Sequence, residues 1–301
     1  MKTMKTMLVP LDGSPLSETV LPVVTALAGS GRYRVTLLSI WEVLSEEVVL
    51  VGERHVRKLR EQGMKCFRAY LGNIAETLAK RGIEVTTEVR SGHPAAEILA
   101  VSGALKPDVV AMASKGRGGE EMYGRRGSVA EKILHASALP VLVLGPRLLE
   151  SWPPTEVGVS SILVPLDGSG ASEAALPTAV EIAGETGAQV SLLRVVPPIP
   201  THALAGLSEQ YPAKIDERRQ QAALDYLKDV QRHFPENLRE VFVERGRPRQ
   251  EIRRFIEQQG IDLVVMASRS RYDSQQWRLG GVADAVIESK APVLLVPPSQ
   301  R

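Results

Sequence analysis

MLVPLDGSPLSETVLP, Met7 to Pro22, is answered by SILVPLDGSGASEAALP, Ser161 to Pro177, so one ancestral unit is written twice in this chain. The copies keep register to the end: 155 residues separate Asp12 from Asp167, 154 separate Met112 from Met266, and 153 separate Gly127 from Gly280. Slippage this small belongs to loops. A repeat of this length is a whole domain, far above the ~20–50 residues of solenoid repeats.

Each copy opens on a short apolar run, MLVPL at Met7 to Leu11 and ILVPL at Ile162 to Leu166, ended by Asp-Gly-Ser. That pattern predicts a buried strand, a tight turn and a helix capped by Ser14, with Pro15 at the first helical position where its missing N–H costs nothing. Second strands follow at Val35 to Ile40 and Val190 to Val196, then long polar helices near residues 53–80 and 211–234. Third strands are expected at Glu84 to Val89 and Glu240 to Glu244, each leading into a proline-initiated helix. The fourth, Asp108 to Ala113 and Asp262 to Ala267, are almost wholly apolar, as parallel strands covered on both faces are. Fifth strands are Val141 to Leu144 and Val293 to Val296.

Strand and helix alternating five times per copy predict an α/β fold of two tandem doubly wound domains, each a five-stranded parallel sheet in the order 3-2-1-4-5 with helices on both faces. GPRLLESWPPTEVG, Gly145 to Gly158, reads as a connecting segment because of its prolines and glycines. The expected domains are residues 1–146 and 159–301, with 147–158 as linker. The apolar fifth strands at equivalent edges need covering, and an intramolecular pseudo-dimer through them is the expected solution, with a further homodimer of chains as a candidate assembly.

Composition narrows the function classes. The 37 basic and 35 acidic residues of the 301 nearly cancel, which argues against nucleic acid as an obligate partner. Apolar residues make up 44%, yet no uninterrupted run approaches the ~18–20 residues of a membrane span, and MKTMKTMLVP has no secretory core, so no membrane partner and a cytoplasmic location are expected. Cys66 is the single cysteine; in GMKCFRAYL it reads as a buried or half-buried helix residue. The five histidines show no metal-ligand spacing, and neither a metal nor a catalytic set is expected.

Ligands of such sheets bind outside the carboxyl ends of the strands, where strand order reverses. The loops to weigh are therefore Asp12-Gly13-Ser14 and the glycine- and arginine-rich stretch Ala111 to Leu134. Gly127-Ser128-Val129 opens a helix there, and glycine backbone at a helix start is suited to phosphate. Lys115, Arg117, Arg125 and Arg126 could add charge, or form a solvated loop face. Ser128 with Glu131 is also a capping box, Asp12 can serve its own turn, and Gly13 can merely permit that turn.

With these residues in view, the chain resembles a tandem universal stress protein with two UspA-type domains. The family's opening V-P-x-D-G-S matches Val9, Pro10, Asp12, Gly13 and Ser14, and again Val164, Pro165, Asp167, Gly168 and Ser169. Its nucleotide-binding members carry G-x2-G-x9-G-[ST] after strand four. Here the first glycine is Ala113, the second is Gly116, and ten residues rather than nine precede Gly127-Ser128. In the second copy those places hold Ala267, Ser270 and, after nine residues, Gly280-Gly281.

The resemblance implies ATP, with magnesium as a candidate companion, as a nucleotide ligand held chiefly by the first copy. Adenine would lie near Asp12 and the Ile40 backbone, and phosphates over Gly116 and Gly127-Ser128. The implied contact set is Pro10, Asp12, Gly13, Ser14, Ile40, Met112, Ala113, Lys115, Gly116, Gly127, Ser128 and Val129. Its implied role is regulation in a stress response rather than catalysis. The alternatives are an interaction scaffold with a decayed nucleotide motif, and a slow ATPase or adenylyl-transfer enzyme.

Overall fold

The computed structural model describes residues 4–42, 53–117, 126–151, 158–199, 210–234, 238–267 and 280–297. The chain divides into two compact units, Met1–Gly158 and Val159–Arg301.

In the first unit five strands, β1 (Lys5–Pro10), β2 (Tyr33–Trp41), β3 (Val85–Ser91), β4 (Val109–Ala113) and β5 (Val141–Leu144), form a parallel sheet in the order β3-β2-β1-β4-β5. Every residue of β4 and β5 is buried, which explains their unbroken apolar runs. Helices α1 (Pro15–Glu18) and α2 (Leu21–Ala28) follow β1, α3 (Glu53–Ala79) follows β2, α4 (Pro94–Leu105) follows β3, and α5 (Ser128–Ala136) follows β4. On one face of the sheet, Ile98 and Val101 of α4 and Ala130 and Ile133 of α5 close over Leu8, Leu38, Val110, Met112 and Val141. Behind β2 runs α3, which needs Gly63 because the Trp41 ring occupies the place of any Cβ there.

The second unit repeats this plan with β6 (Ser161–Pro165), β7 (Gln189–Val196), β8 (Leu238–Arg245), β9 (Leu263–Ala267) and β10 (Val293–Val296) in the order β8-β7-β6-β9-β10. Before it comes α6 (Pro146–Ser151); its own helices are α7 (Gly170–Glu173), α8 (Leu176–Thr186), α9 (Gln210–His233), α10 (Pro248–Gln259) and α11 (Gly281–Ile287). A shared clamp sets register at the opposite end from the site. Asp108 Oδ2 accepts from Thr6 N at 2.8 Å, and Asp262 Oδ2 accepts from Ser160 N and Ser161 N at 2.9 Å each.

Three expectations change. The segment read as linker is not wholly irregular: Pro146–Ser151 is helical, with proline at its first position, where its fixed φ suits a helix start. The helix after each first strand is split in two, because Pro22 and Pro177 enter one residue inside a new helix start. Cys66 is exposed, since it lies on the outer face of α3.

Candidate functional site

Ser14 is the N-cap of α1, its Oγ accepting from Ser17 N at 3.2 Å, with Pro15 next. The turn before it is held by the Asp12 carboxylate. Oδ1 accepts from Ser14 N at 2.9 Å and from Ser14 Oγ at 2.6 Å, while Oδ2 accepts from Arg117 N at 2.6 Å. Arg117 Nη2 also donates to the Asp12 carbonyl, and its guanidinium lies 5.7 Å from the centre of the Phe67 ring. Burial alone would raise the Asp12 pKa; hydrogen bonds from the Ser14 hydroxyl, the Arg117 and Ser14 backbone and Ser17 outweigh it and hold the group below its usual 3.8. Gly13 has φ +82°, a conformation glycine enters without strain, and the Phe67 ring and the Arg117 guanidinium fill the space beside it.

The residues singled out from the sequence come together at the carboxyl ends of the strands. Pro10 ends β1, Ile40 is the penultimate residue of β2, and Met112 and Ala113 end β4. Lys115 and Gly116 follow at once, and Gly127, Ser128 and Val129 begin α5. Ile40 and Val129 pack on the same cluster as Met112 and Ile98, so an apolar wall joins the ends of β2 and β4 to the first turn of α5.

Gly116 has a reason of its own: any Cβ there would overlap Asp12 Oδ2 and come within 3.2 Å of its Cγ. Gly127, not Ser128, is the N-cap of α5, and no side chain caps that helix. The Ser128–Glu131 capping box therefore does not form; Glu131 N bonds the Gly127 carbonyl at 3.0 Å instead. Ser128 is the first helical residue, with an exposed side chain and its N–H among the first-turn donors that lack an intrahelical acceptor. The Gly127 N–H itself is taken, donating to the Ser114 carbonyl at 2.7 Å.

Ser114, which the sequence pattern does not single out, is fully buried between β4 and this loop, and among the described residues its Oγ has no hydrogen-bond partner. Its one sequence signal was a hydroxyl in an otherwise apolar strand end, MASKG. Arg117, weighed as a phosphate contact, is engaged by Asp12 instead, and Arg125 lies outside the described residues. Among the described residues no group of acidic, histidine or cysteine side chains is arranged to hold a metal.

The second unit keeps the turn and changes its surroundings. Asp167 Oδ1 accepts from Ser169 N at 2.9 Å, and Gly168 again has φ +82°. The cation beside it is now Arg194 from β7, 2.7 Å from the place of a Gly168 Cβ and 4.8 Å from the centre of the Tyr226 ring. Tyr226 donates to Glu173 Oε1 at 2.8 Å; burial first and this carboxylate second push its phenol well above the usual range, and the same causes, with Glu18, act on Tyr70. Ser270 lies outside the described residues.

Comparison with known proteins agrees with the duplicated plan. The model of the universal stress protein family matches residues 3–145 and again 158–297. Universal stress protein YxiE of Bacillus subtilis is 31% identical over 150 residues, 46% of this chain and 98% of that protein. Universal stress protein MJ0531 of Methanocaldococcus jannaschii is 32% identical over 137 residues, 45% of this chain and 80% of that protein. Among solved structures, a universal stress protein from Archaeoglobus fulgidus superposes with a TM-score of 0.69 at 22% identity, covering 98% of both chains. No helix among the described residues is long and apolar enough to cross a membrane.

Proposed function

Because the chain belongs to the universal stress protein family, with two copies of its domain, we propose that it is an ATP-binding regulatory module whose nucleotide site lies in the first unit. The observation that carries this reading is the start of α5. A glycine cap leaves the Ser128 hydroxyl and the first-turn N–H groups without a side-chain cap, beside the mouth where Asp12, Ile40, Met112 and Gly116 meet. Donors at a helix start, together with its dipole, suit a phosphate group.

The residues fit such a ligand in specific ways. Phosphates would be held by the Ser128 hydroxyl and the N–H groups of Ser128 and Val129, with Lys115 and Arg126 adding charge; the committed Gly127 N–H takes no part. The base would rest on the wall of Ile40, Met112 and Val129, with Pro10, Gly13, Ser14 and Ala113 shaping its rim and Asp12 fixing the loop that carries Gly116. Magnesium would accompany the phosphates rather than bind a protein cluster. The role that follows is regulation in a stress response inside the cell, with ATP as signal.

Calorimetric titration of ATP into nucleotide-free protein tests this. One tight site in the first unit is expected, abolished in a folded Gly127→Val variant, whose branched side chain would stand at the helix start where phosphate would sit. A Cβ at 127 would meet Ser114 O at an ordinary 3.4 Å, and the φ of −67° suits any residue, so the fold should survive. Unchanged ATP binding in that variant would reject the assignment.

A further inference from the structure

The stretch RGRPRQEIRR, residues 245–254, holds five arginines, whereas its counterpart in the first copy, SGHPAAEILA at residues 91–100, holds none. The glycine, proline and glutamate common to both fix the alignment: Gly92 with Gly246, Pro94 with Pro248, Glu97 with Glu251. Two of the five are neutralised locally. Arg245 pairs with Asp216, and Arg254 pairs with Glu251 at 2.7 Å and Glu244 at 3.3 Å.

Arg249 and Arg253 differ. They stand one turn apart on α10, and among the described residues neither has a carboxylate partner. Arg249 is exposed, while Arg253 is half-buried with an Nε that has no hydrogen-bond partner. Arg253 replaces Leu99, a residue that packs on the apolar cluster in the first unit. Two like charges one turn apart repel, and a buried guanidinium nitrogen without an acceptor is costly. An anion bridging the two guanidinium ends removes the repulsion.

The glycine opposite supplies an independent observation. The Arg249 guanidinium lies over Gly281, its Cζ 2.6 Å from the place of a Cβ there, so a side chain at 281 would displace it. The matching pair in the first copy is Ala95 and Ser128. The two copies thus differ at both positions: α11 lacks the counterpart of the hydroxyl that opens α5, and a guanidinium occupies the room.

We propose that Arg249 and Arg253, with Arg247 leading in, form a polyphosphate-binding site in the second unit that reads the phosphate chain and not a base. Forked guanidinium donors spaced one helical turn apart suit adjacent phosphates, which offer paired acceptor oxygens. Such a chain could come from free pyrophosphate-type anions or from a nucleoside triphosphate. This inference is independent of the ATP site proposed for the first unit.

The test uses the full chain carrying Gly127→Val, so that the first unit contributes no nucleotide binding. Titration with pyrophosphate should show one saturable site per chain. Arg249→Gln and Arg253→Gln should each weaken it by about tenfold or more, the scale of a lost charge-assisted hydrogen bond. Gly281→Ala should do the same while keeping both arginines, because the added methyl evicts the Arg249 guanidinium. Arg254→Gln should leave it within about twofold, since that charge is already paired. Binding of ATP equal to pyrophosphate and at least about tenfold tighter than AMP identifies the phosphate chain as the ligand. Absent pyrophosphate binding, equal affinity for AMP and ATP, uniform weakening by all three arginine variants, or binding of poly-glutamate in its place would each overturn the proposal. Failure of the first-unit site is read separately, from ATP titration with Gly127 intact.

Discussion

Replacing Gly116 by alanine should loosen the first unit through a single contact. The added Cβ would overlap Asp12 Oδ2, and the atom it meets is a carboxylate already fixed on both sides. Rotating away keeps the Ser14 bonds to Oδ1 and gives up the 2.6 Å bond from Arg117 N to Oδ2. A hydrogen bond to a charged group contributes about 1.5–3 kcal/mol, so a loss of about 2 kcal/mol is expected. For a unit of ~150 residues that lowers the melting temperature by about 4–8 °C. Backbone strain adds nothing, because Gly116 is not in the left-handed region. Thermal melts of wild type, Gly116→Ala, Asp12→Ala and the double variant read the coupling. With Asp12 shortened to alanine the clash disappears, and Gly116→Ala should then cost under about 0.5 kcal/mol. An equal cost in both backgrounds would refute the steric argument.

The acid side of stability should report the same carboxylate. Its folded pKa is lowered, so its contribution is present above the unfolded value near 3.8 and is lost as pH falls through the folded value. The stability gap between wild type and Asp12→Asn, from urea melts, should therefore be full at pH 6–7 and shrink below about pH 4, and a gap constant with pH would contradict this. The tight ATP site of the first unit should be removed by Gly127→Val and spared by Gly280→Val, where no described atom lies within 4 Å of the added Cβ; loss only with Gly280→Val would reverse the asymmetry. Tyr226→Phe removes the 2.8 Å bond to Glu173 and should destabilise the second unit by about 1–2 kcal/mol in denaturant melts, with no change signalling that Glu173 is fully satisfied without it.

The fold was legible because the duplication states it twice. Unbroken apolar runs such as Val109–Ala113 and Leu263–Ala267 can only be buried parallel strands, and the Asp-Gly-Ser turn with Ser14 and Ser169 as caps is local chemistry that needs no tertiary knowledge. The neighbourhood of the site was legible too, since strand ends can be read from the pattern. What escaped was the use of each group within it. Gly116 reads as a place for phosphate, and Asp12 makes its own demand for glycine there, a contact across 104 residues that no local pattern encodes. Ser128 reads as a cap, yet the chain enters α5 one residue earlier because Gly127 N bonds the Ser114 carbonyl. Pro146–Ser151 was hidden because proline marks both loops and first helical positions.

The two copies solve one electrostatic problem with different residues. Each turn glycine, at φ +82°, has a guanidinium beside it that also covers an aromatic ring. In the first unit the cation is Arg117, the ring is Phe67, and Ser39 beneath donates to the Leu11 carbonyl at 2.7 Å. Aligning Tyr70-Leu71 with Tyr226-Leu227 places Ala223 where Phe67 stands, and Arg194 takes the place of Ser39. A bulky ring and a small hydroxyl have become a small methyl and a long cation, an exchange that conserves volume. The source of the charge is what changes. Arg117 belongs to the loop that leads from β4 toward the proposed phosphate site, so opening that loop must break two bonds to Asp12. Arg194 belongs to a strand. A ligand that moves the first loop therefore changes the Asp12 turn, and with it α1.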